Sequence, residues 1–203
     1  MKYVLTHYQG DWEWVKKYTQ DYVIYNRSQE DIPGSIKREN VGDADYDRLS
    51  YIVDNYHDLP EVFVLTKSNL WKYISEEEFQ AVKDNTDYTP LLTQNHKTYS
   101  DQYGPVCYYQ DVMYHERNDG WIFNALGRGY FGSWGEWAHA FMLPSPAYIP
   151  FAPGGNYILT RERVHRYSKD HYERMRDTLP YSQRPVEAHL VERSLHLMWG
   201  GVQ

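Results

Sequence analysis

The sequence predicts an α/β fold with a mostly parallel central sheet and helices on both faces, and three stretches carry that expectation. Residues 40–70 read as a polar loop, an amphipathic helix, a stop and a strand. Leu49, Ile52, Val53 and Tyr56 recur on one helical face, and Leu59-Pro60 ends the helix. Val62-Phe63-Val64-Leu65 is an unalternating apolar run, as in a strand covered on both faces. Residues 2–26 read as strand, helix, strand, and residues 157–160 add a further strand before Arg161. The four strands expected in one sheet are therefore 3–6, 22–25, 63–66 and 157–160. Right-handed crossovers bring the polar corners 7–10, 26–28 and 66–69 to one sheet edge, where ligands of open α/β sheets sit.

Composition narrows the function. The chain has room for one substantial domain and shows no linker-like or charge-block segment, so residues 1–203 are read as one unit. A net charge of −7 argues against a general basic surface for nucleic acid, though not against a local basic patch. Cys107 is the only cysteine, which excludes an intrachain disulfide and a thiolate zinc site. The start is too short for a secretory apolar region and no run reaches membrane-spanning length, so a soluble, cytosolic protein without a membrane partner is expected. The 21 Tyr and 7 Trp suit stacking on sugars or bases, and equally suit half-buried strands.

In chain order, Asp11 is placed to cap a helix carrying Trp12, Val15 and Tyr18, and Asp43 or Asp45 to cap the helix of residues 40–70. The first corner has too few glycines for a dinucleotide or phosphate-loop fingerprint. Ser75 and Glu78 form a capping box, which makes Glu76 to Glu78 a solvated helix start. Residues 84–137 read as a variable, loop-rich insertion with short strands, a binding segment or a cover for the sheet edge. Within it Arg117 and Arg128 can grip a phosphate or brace loops. Gly154-Gly155 allows close backbone approach to a ligand. A last helix starts at Pro185 and ends at Trp199-Gly200-Gly201, with His189, Glu192, Arg193 and His196 on one face. The two histidines lie two turns apart, farther than a one-turn metal pair, and read as hydrogen-bonding groups.

Taken together, HYQGDWEWVKKYTQDYVIYNRS, NVG with YDRLSYIVDNYHDLP, VFVLTKSN, GGNYILTRERV and VERSLHLMWGG resemble the small DUF3431-type proteins related to glycosyltransferase-A (GT-A) enzymes. Members from fungi and bacteria show the same order of a His-Tyr strand end, a Tyr-Asn strand end, Asn-Val-Gly before a Tyr-rich helix, and a late Glu-Arg helix. The likeness spans nearly the whole chain apart from the middle.

What this resemblance implies is a single GT-A-like, Rossmann-like domain acting as a nucleotide-sugar-dependent glycosyltransferase, inverting, with a UDP-, GDP- or dTDP-sugar donor. At the carboxyl ends of the strands and the start of the helix of residues 40–70, the expected donor site takes His7, Tyr8, Asn26, Asn40, Gly42, Asp45, Lys67 and Asn69, with Gly154, Gly155 and Arg193 farther along. Glu192 is the implied general base with Glu187 in reserve, and an ion pair of Glu192 with Arg193 or Arg163 is the structural alternative. GT-A enzymes hold Mn²⁺ or Mg²⁺ on Asp-x-Asp at the strand end, whereas this chain has Thr66-Lys67-Ser68-Asn69 there. Asp43-Ala44-Asp45 matches that pattern literally but stands at a helix start, where capping explains it. Metal-free transfer, with Lys67 facing the pyrophosphate, is the accompanying expectation. The acceptor is a glycan, a small molecule or a modified nucleic acid. Two other readings stand beside it: a non-catalytic carbohydrate- or nucleotide-binding module of the same fold, and a phage-type DNA-base glycosyltransferase.

Overall fold

The computed structural model describes residues 1–92, 98–118 and 129–200; Arg128 and Gly201 lie outside the described residues. Four parallel strands form the heart of the fold: β1 (Lys2–His7), β2 (Tyr22–Asn26), β3 (Ile36–Lys37) and β4 (Val62–Lys67). The chain builds outward from β1 to β2 and β3, then returns to lay β4 on the other side of β1. Two more strands, β5 (Thr89–Pro90) and β10 (Tyr157–Thr160), join antiparallel, and the six-stranded order is β3-β2-β1-β4-β10-β5. All four strands expected from the sequence share this mostly parallel sheet.

Alternation of side chains along these strands feeds two cores. Val4, Tyr25, Phe63, Leu65, Tyr157 and Leu159 face a large layer made with α1 (Asp43–Asp54) and α6 (Val186–Trp199). Tyr3, Leu5, Ile24, Val64 and Ile158 face a smaller one containing Trp14 and Phe79. Helices thus cover both faces. The cover on the second face is thinner than expected, because the β1–β2 connection is a five-residue 3₁₀ turn, Glu13–Lys17, and not an α-helix. Asp11 does accept the backbone N–H of Glu13 at 2.8 Å. That face is completed by a second 3₁₀ turn, Leu70–Lys72, and by α2 (Glu76–Val82), whose capping box of Ser75 and Glu78 is present.

Two expectations are met only in part. The short strands expected within residues 84–137 are organised beyond that reading, since β6 (Tyr99–Asp101), β7 (Gly104–Gln110) and β8 (Met113–Arg117) pair with β9 (Tyr148–Phe151) in a four-stranded antiparallel sheet. Their tyrosines and charged residues mask the apolar alternation, yet Val106, Cys107, Met113, Tyr114 and Glu116 are buried. At the start of α1, Asp43 accepts the Ala44 N–H at 2.5 Å, but it is not the N-cap residue. Gly42, at φ 70°, is the N-cap, and the free N–H groups of Gly42 and Asp43 donate to the carbonyls of Ser182 (2.8 Å) and Gln183 (3.1 Å). A segment 140 residues away on the chain therefore caps α1. The remaining elements are α3 (Trp134–Ala140), α4 (Arg161–Val164) and α5 (Lys169–Arg176). No helix among the described residues is long and apolar enough to cross a membrane.

Trp14 locks the second face. Its ring is buried against Tyr3, Tyr18, Trp71 and Phe79, and its indole N–H donates to the Ser68 carbonyl at 2.8 Å. Trp14→Phe keeps most of the apolar contact but leaves that carbonyl unmet. We expect a loss of about 1–3 kcal/mol in urea unfolding, against a smaller loss for Trp12→Phe on the half-buried flank. Equal losses for the two variants would mean that the hydrogen bond to Ser68 contributes nothing.

Candidate functional site

The return of the chain from β3 to β4 leaves a switch point between β1 and β4, and a cavity of about 230 Å³ opens at the carboxyl ends of those strands. Its wall is built from Thr6, Tyr8 and Gln9 after β1, Arg27 after β2, Asp43 and Ala44 at the start of α1, and Lys67, Ser68 and Asn69 after β4. Lys72, Tyr73 and Arg184 complete it. An annex of about 60 Å³ shares Tyr8, Arg27, Asp43 and Arg184 and adds Asn40 and Gln183. Four cations, Arg27, Lys67, Lys72 and Arg184, thus face the single carboxylate of Asp43 among the described wall residues, in a chain of net charge −7.

Each wall group is held from behind. The Lys67 N–H donates to Asn156 Oδ1 at 2.9 Å, Ser68 N–H to the Thr6 carbonyl at 3.1 Å, and Ser68 Oγ to the Gln9 carbonyl at 3.0 Å. The Lys67 ammonium lies 3.7 Å from Asp43 and 5.9 Å from the centre of the Tyr73 ring. Arg27 is buried, its Nε 3.5 Å from an oxygen of the fully buried Asp47, while its Nη2 has no hydrogen-bond partner among the described residues. Arg184 is carried into place by the backbone pairing of residues 182–183 with 42–43.

Behind this wall lies a second set of charges. Arg48, buried, donates to Asp45 at 2.5 Å and to the Gly154 carbonyl, while the Gly154 N–H donates to Glu192 Oε1 at 2.7 Å. The Gly154-Gly155 corner, with φ of 87° and 61°, is closely approached by protein side chains: a Cβ at 154 would stand 2.5 Å from the Tyr73 ring and one at 155 would stand 2.7 Å from Arg48. Burial pushes the Asp45 carboxyl up to about 6 against the pull of Arg48, and Glu192 adds to the rise. Burial also raises Asp43, but Lys67, the Ala44 N–H, Arg48 and Arg27 outweigh it and hold that carboxyl below its ordinary value.

The residues expected at the donor site divide. Tyr8, Asn40, Lys67 and Asn69 lie on the cavity or its annex. His7 is fully buried with Nε2 3.3 Å from Glu30, and Asn26 shapes its own corner through Ser28 and the Glu30 carbonyl. Gly42 packs against Tyr46 and Leu179, and Asp45 is closed on Arg48. Arg193 pairs with the buried Glu116 and lies over Phe151 at 4.2 Å, with Glu192 at 3.3 Å. Arg163 pairs with Asp87 instead of Glu192. Glu187 is fully buried and accepts from the Tyr130 N–H and the Tyr181 hydroxyl. His196 meets the Tyr88 hydroxyl at 2.7 Å while His189 is exposed, so the shared helical face serves different partners. Arg117 braces the second sheet through Asp101 at 2.6 Å.

Of the two aspartates of the Asp-x-Asp pattern, Asp45 pairs with Arg48 at 2.5 Å and Asp43 lies 3.7 Å from the Lys67 ammonium. Among the described residues no group of three His, Cys, Asp or Glu side chains is placed for a metal ion. Sequence reasoning missed Arg27, Lys72, Tyr73 and Arg184. Arg27 was visible beside Asn26 in the second corner, but nothing local placed Arg184 across from it. A larger hollow of about 830 Å³ lies at the opposite sheet end. It is lined by Arg161, Arg163 and Arg166 against Glu61, Asp87 and Glu162, a balanced set in which Arg163 is already taken by Asp87 and by the Trp199 and Gly200 carbonyls. We therefore place the candidate site at the switch point.

Fold and cavity define a mixed α/β protein with a cation-lined crevice at the strand carboxyl ends. The chain belongs to the family described as "Protein of unknown function (DUF3431)", whose model matches residues 4–202. No curated protein and no solved structure matches it.

Burial drives the Asp47 carboxyl up to about 7, with Arg27, Arg38 and Arg48 pulling it down. A folded-state value above the ordinary one means that Asp47 costs the wild type stability as pH rises from its ordinary value of 3.8 to about 7, with no further loss above that. Asp47→Asn cannot ionise, so its melting temperature relative to the wild type should rise between pH 5 and pH 8.5. A relative fall over that range would show that the Arg27 pair outweighs burial.

Proposed function

We propose that this protein is a glycosyltransferase that takes a nucleotide-sugar donor at the switch-point cavity and passes its sugar to an acceptor hydroxyl. One observation carries the reading: four cations and two tyrosines, Tyr8 and Tyr73, gather at the carboxyl ends of the parallel strands of an otherwise acidic chain. Phosphates ask for the cations and a base or sugar ring for the tyrosines. The cavity is below the roughly 300–1,000 Å³ of drug-sized clefts, so it suits a diphosphate and one neighbouring ring, with the rest of the donor lying outward. The strand order, with antiparallel β10 beside β4, supports a GT-A-like arrangement.

In the transfer, the bond from the anomeric carbon to the diphosphate oxygen breaks and its electron pair leaves with the diphosphate. The acceptor oxygen bonds that carbon as its proton passes to a carboxylate. Lys67, Lys72, Arg27 and Arg184 stabilise the charge that develops on the leaving group. Glu192 is our candidate base: it is the more accessible of the two carboxylates around Arg48 (17% against 6%). Glu187 is locked between Tyr130 and Tyr181 and is set aside for that role.

The alternative of a non-catalytic binding module is favoured by one contact set, since the Glu192 oxygens already meet the Gly154 N–H and Arg193. Turnover decides between them. With UDP-, GDP- and dTDP-sugars, we expect one donor class to be hydrolysed or transferred, and Glu192→Gln to cut turnover by about two to four orders of magnitude with donor affinity kept. Affinity without turnover in the wild type identifies the binder. Unchanged turnover in Glu192→Gln, with a lower melting temperature, returns Glu192 to a structural role.

A further inference from the structure

We propose that the protein's own cations, with Lys67 at their centre, neutralise the donor diphosphate, so that this site works without a divalent metal. The inference rests on the nucleotide-diphosphate reading above and specifies how that ligand is held. Three observations on the wall carry it. First, the strand-end position that would present carboxylates to a metal presents Lys67, whose backbone N–H is pinned by Asn156 at 2.9 Å and whose ammonium stands between Asp43 and the Tyr73 ring. Second, both members of the Asp43-Ala44-Asp45 pattern are engaged: Asp45 with the buried Arg48, and Asp43 with Lys67 and the Ala44 N–H. A metal ion there would displace one of these cations and meet the repulsion of the others. Third, Arg27 is 5% exposed, lines both the cavity and its annex, and keeps Nη2 without a hydrogen-bond partner among the described residues.

A buried, permanently charged guanidinium with an unmet N–H needs an acceptor. Its Nε donates to the Glu39 carbonyl at 3.4 Å, and Asp47 stands 3.5 Å from the same atom as a charge partner. A phosphate oxygen in the cavity supplies the missing acceptor, and charge-assisted bonds of this kind are the strong ones. Lys72 and Arg184 approach from the turn after β4 and from residues 182–184, so the four cations surround a bound diphosphate from three separate segments of chain. Asp43 then holds the Lys67 ammonium over the cavity. The remaining excess of positive charge is what an anion uses and a divalent cation does not tolerate.

The test is calorimetry on the full chain with UDP, GDP, dTDP and inorganic pyrophosphate, each in EDTA and each in excess Mn²⁺. We expect at least one nucleoside diphosphate to bind with the same affinity, within about twofold, in both conditions. Lys67→Ala and Arg184→Ala should each weaken it by about tenfold or more in EDTA, with circular dichroism and melting temperature confirming that each variant is folded. Affinity that appears only with Mn²⁺ overturns the cation clamp and leaves the nucleotide reading intact. Pyrophosphate binding in EDTA with no nucleotide preference keeps the clamp and removes the nucleotide reading. Binding that is indifferent to both substitutions, or no binding by any of the four ligands, overturns the clamp.

Discussion

The buried guanidinium of Arg48 is the constraint on which the site depends. It bonds Asp45 on its own helix and the Gly154 carbonyl far along the chain, and its charge lies close to Glu192 on α6. Leaving one partner of such a group unmet is costly, so α1, the corner before β10 and α6 hold one arrangement. The corner then sets three things in consecutive residues. Gly154 lies against Tyr73, Gly155 against Arg48, and Asn156 reaches across to accept the N–H of Lys67. One buried cation thereby fixes the position of two cavity-wall residues that it does not touch.

Electrostatics separate the two ends of the sheet. At the carboxyl end, cations from different segments converge with one opposing carboxylate on the wall. At the amino end of β4 the arginines of residues 161–166 face acidic partners in equal number, and the Arg163–Asp87 contact, with bonds of 2.8 and 3.0 Å, fastens α4 to the segment before β5. The first arrangement leaves charge to be met by a ligand, while the second satisfies it internally and reads as a structural clasp. Net charge hides this, because an acidic chain can still assemble a basic crevice.

Much of the fold was legible because local patterns agreed with it. The apolar run 62–65, the helical face of Leu49, Ile52 and Val53, and the Ser75–Glu78 capping box all appear where periodicity and cap chemistry put them. What was not legible depends on contacts distant in sequence. Residues 182–183 accept the N–H groups of Gly42 and Asp43, so the aspartates carry little of the capping: Asp43 takes the Ala44 N–H and faces Lys67, and Asp45 pairs with Arg48. The second sheet escaped notice because tyrosine and charge interrupt its alternation, and its buried Glu116 is paired with Arg193 from α6. At the site, corner residues such as Tyr8, Lys67 and Asn69 followed from strand ends, whereas Arg184 required knowing which loop caps α1.

The central claim is that ligand binds at the carboxyl ends of β1 and β4 and not in the larger hollow at the opposite end. Hydrogen exchange of the full chain, read peptide by peptide with and without saturating UDP, GDP or dTDP, tests it most directly. The account predicts that a bound nucleotide slows exchange in residues 6–10, 27–28, 42–45, 67–73 and 182–184, the separate segments that meet at the cavity. Protection confined to residues 61–62, 86–87 and 160–166, the wall of the larger hollow, would contradict it.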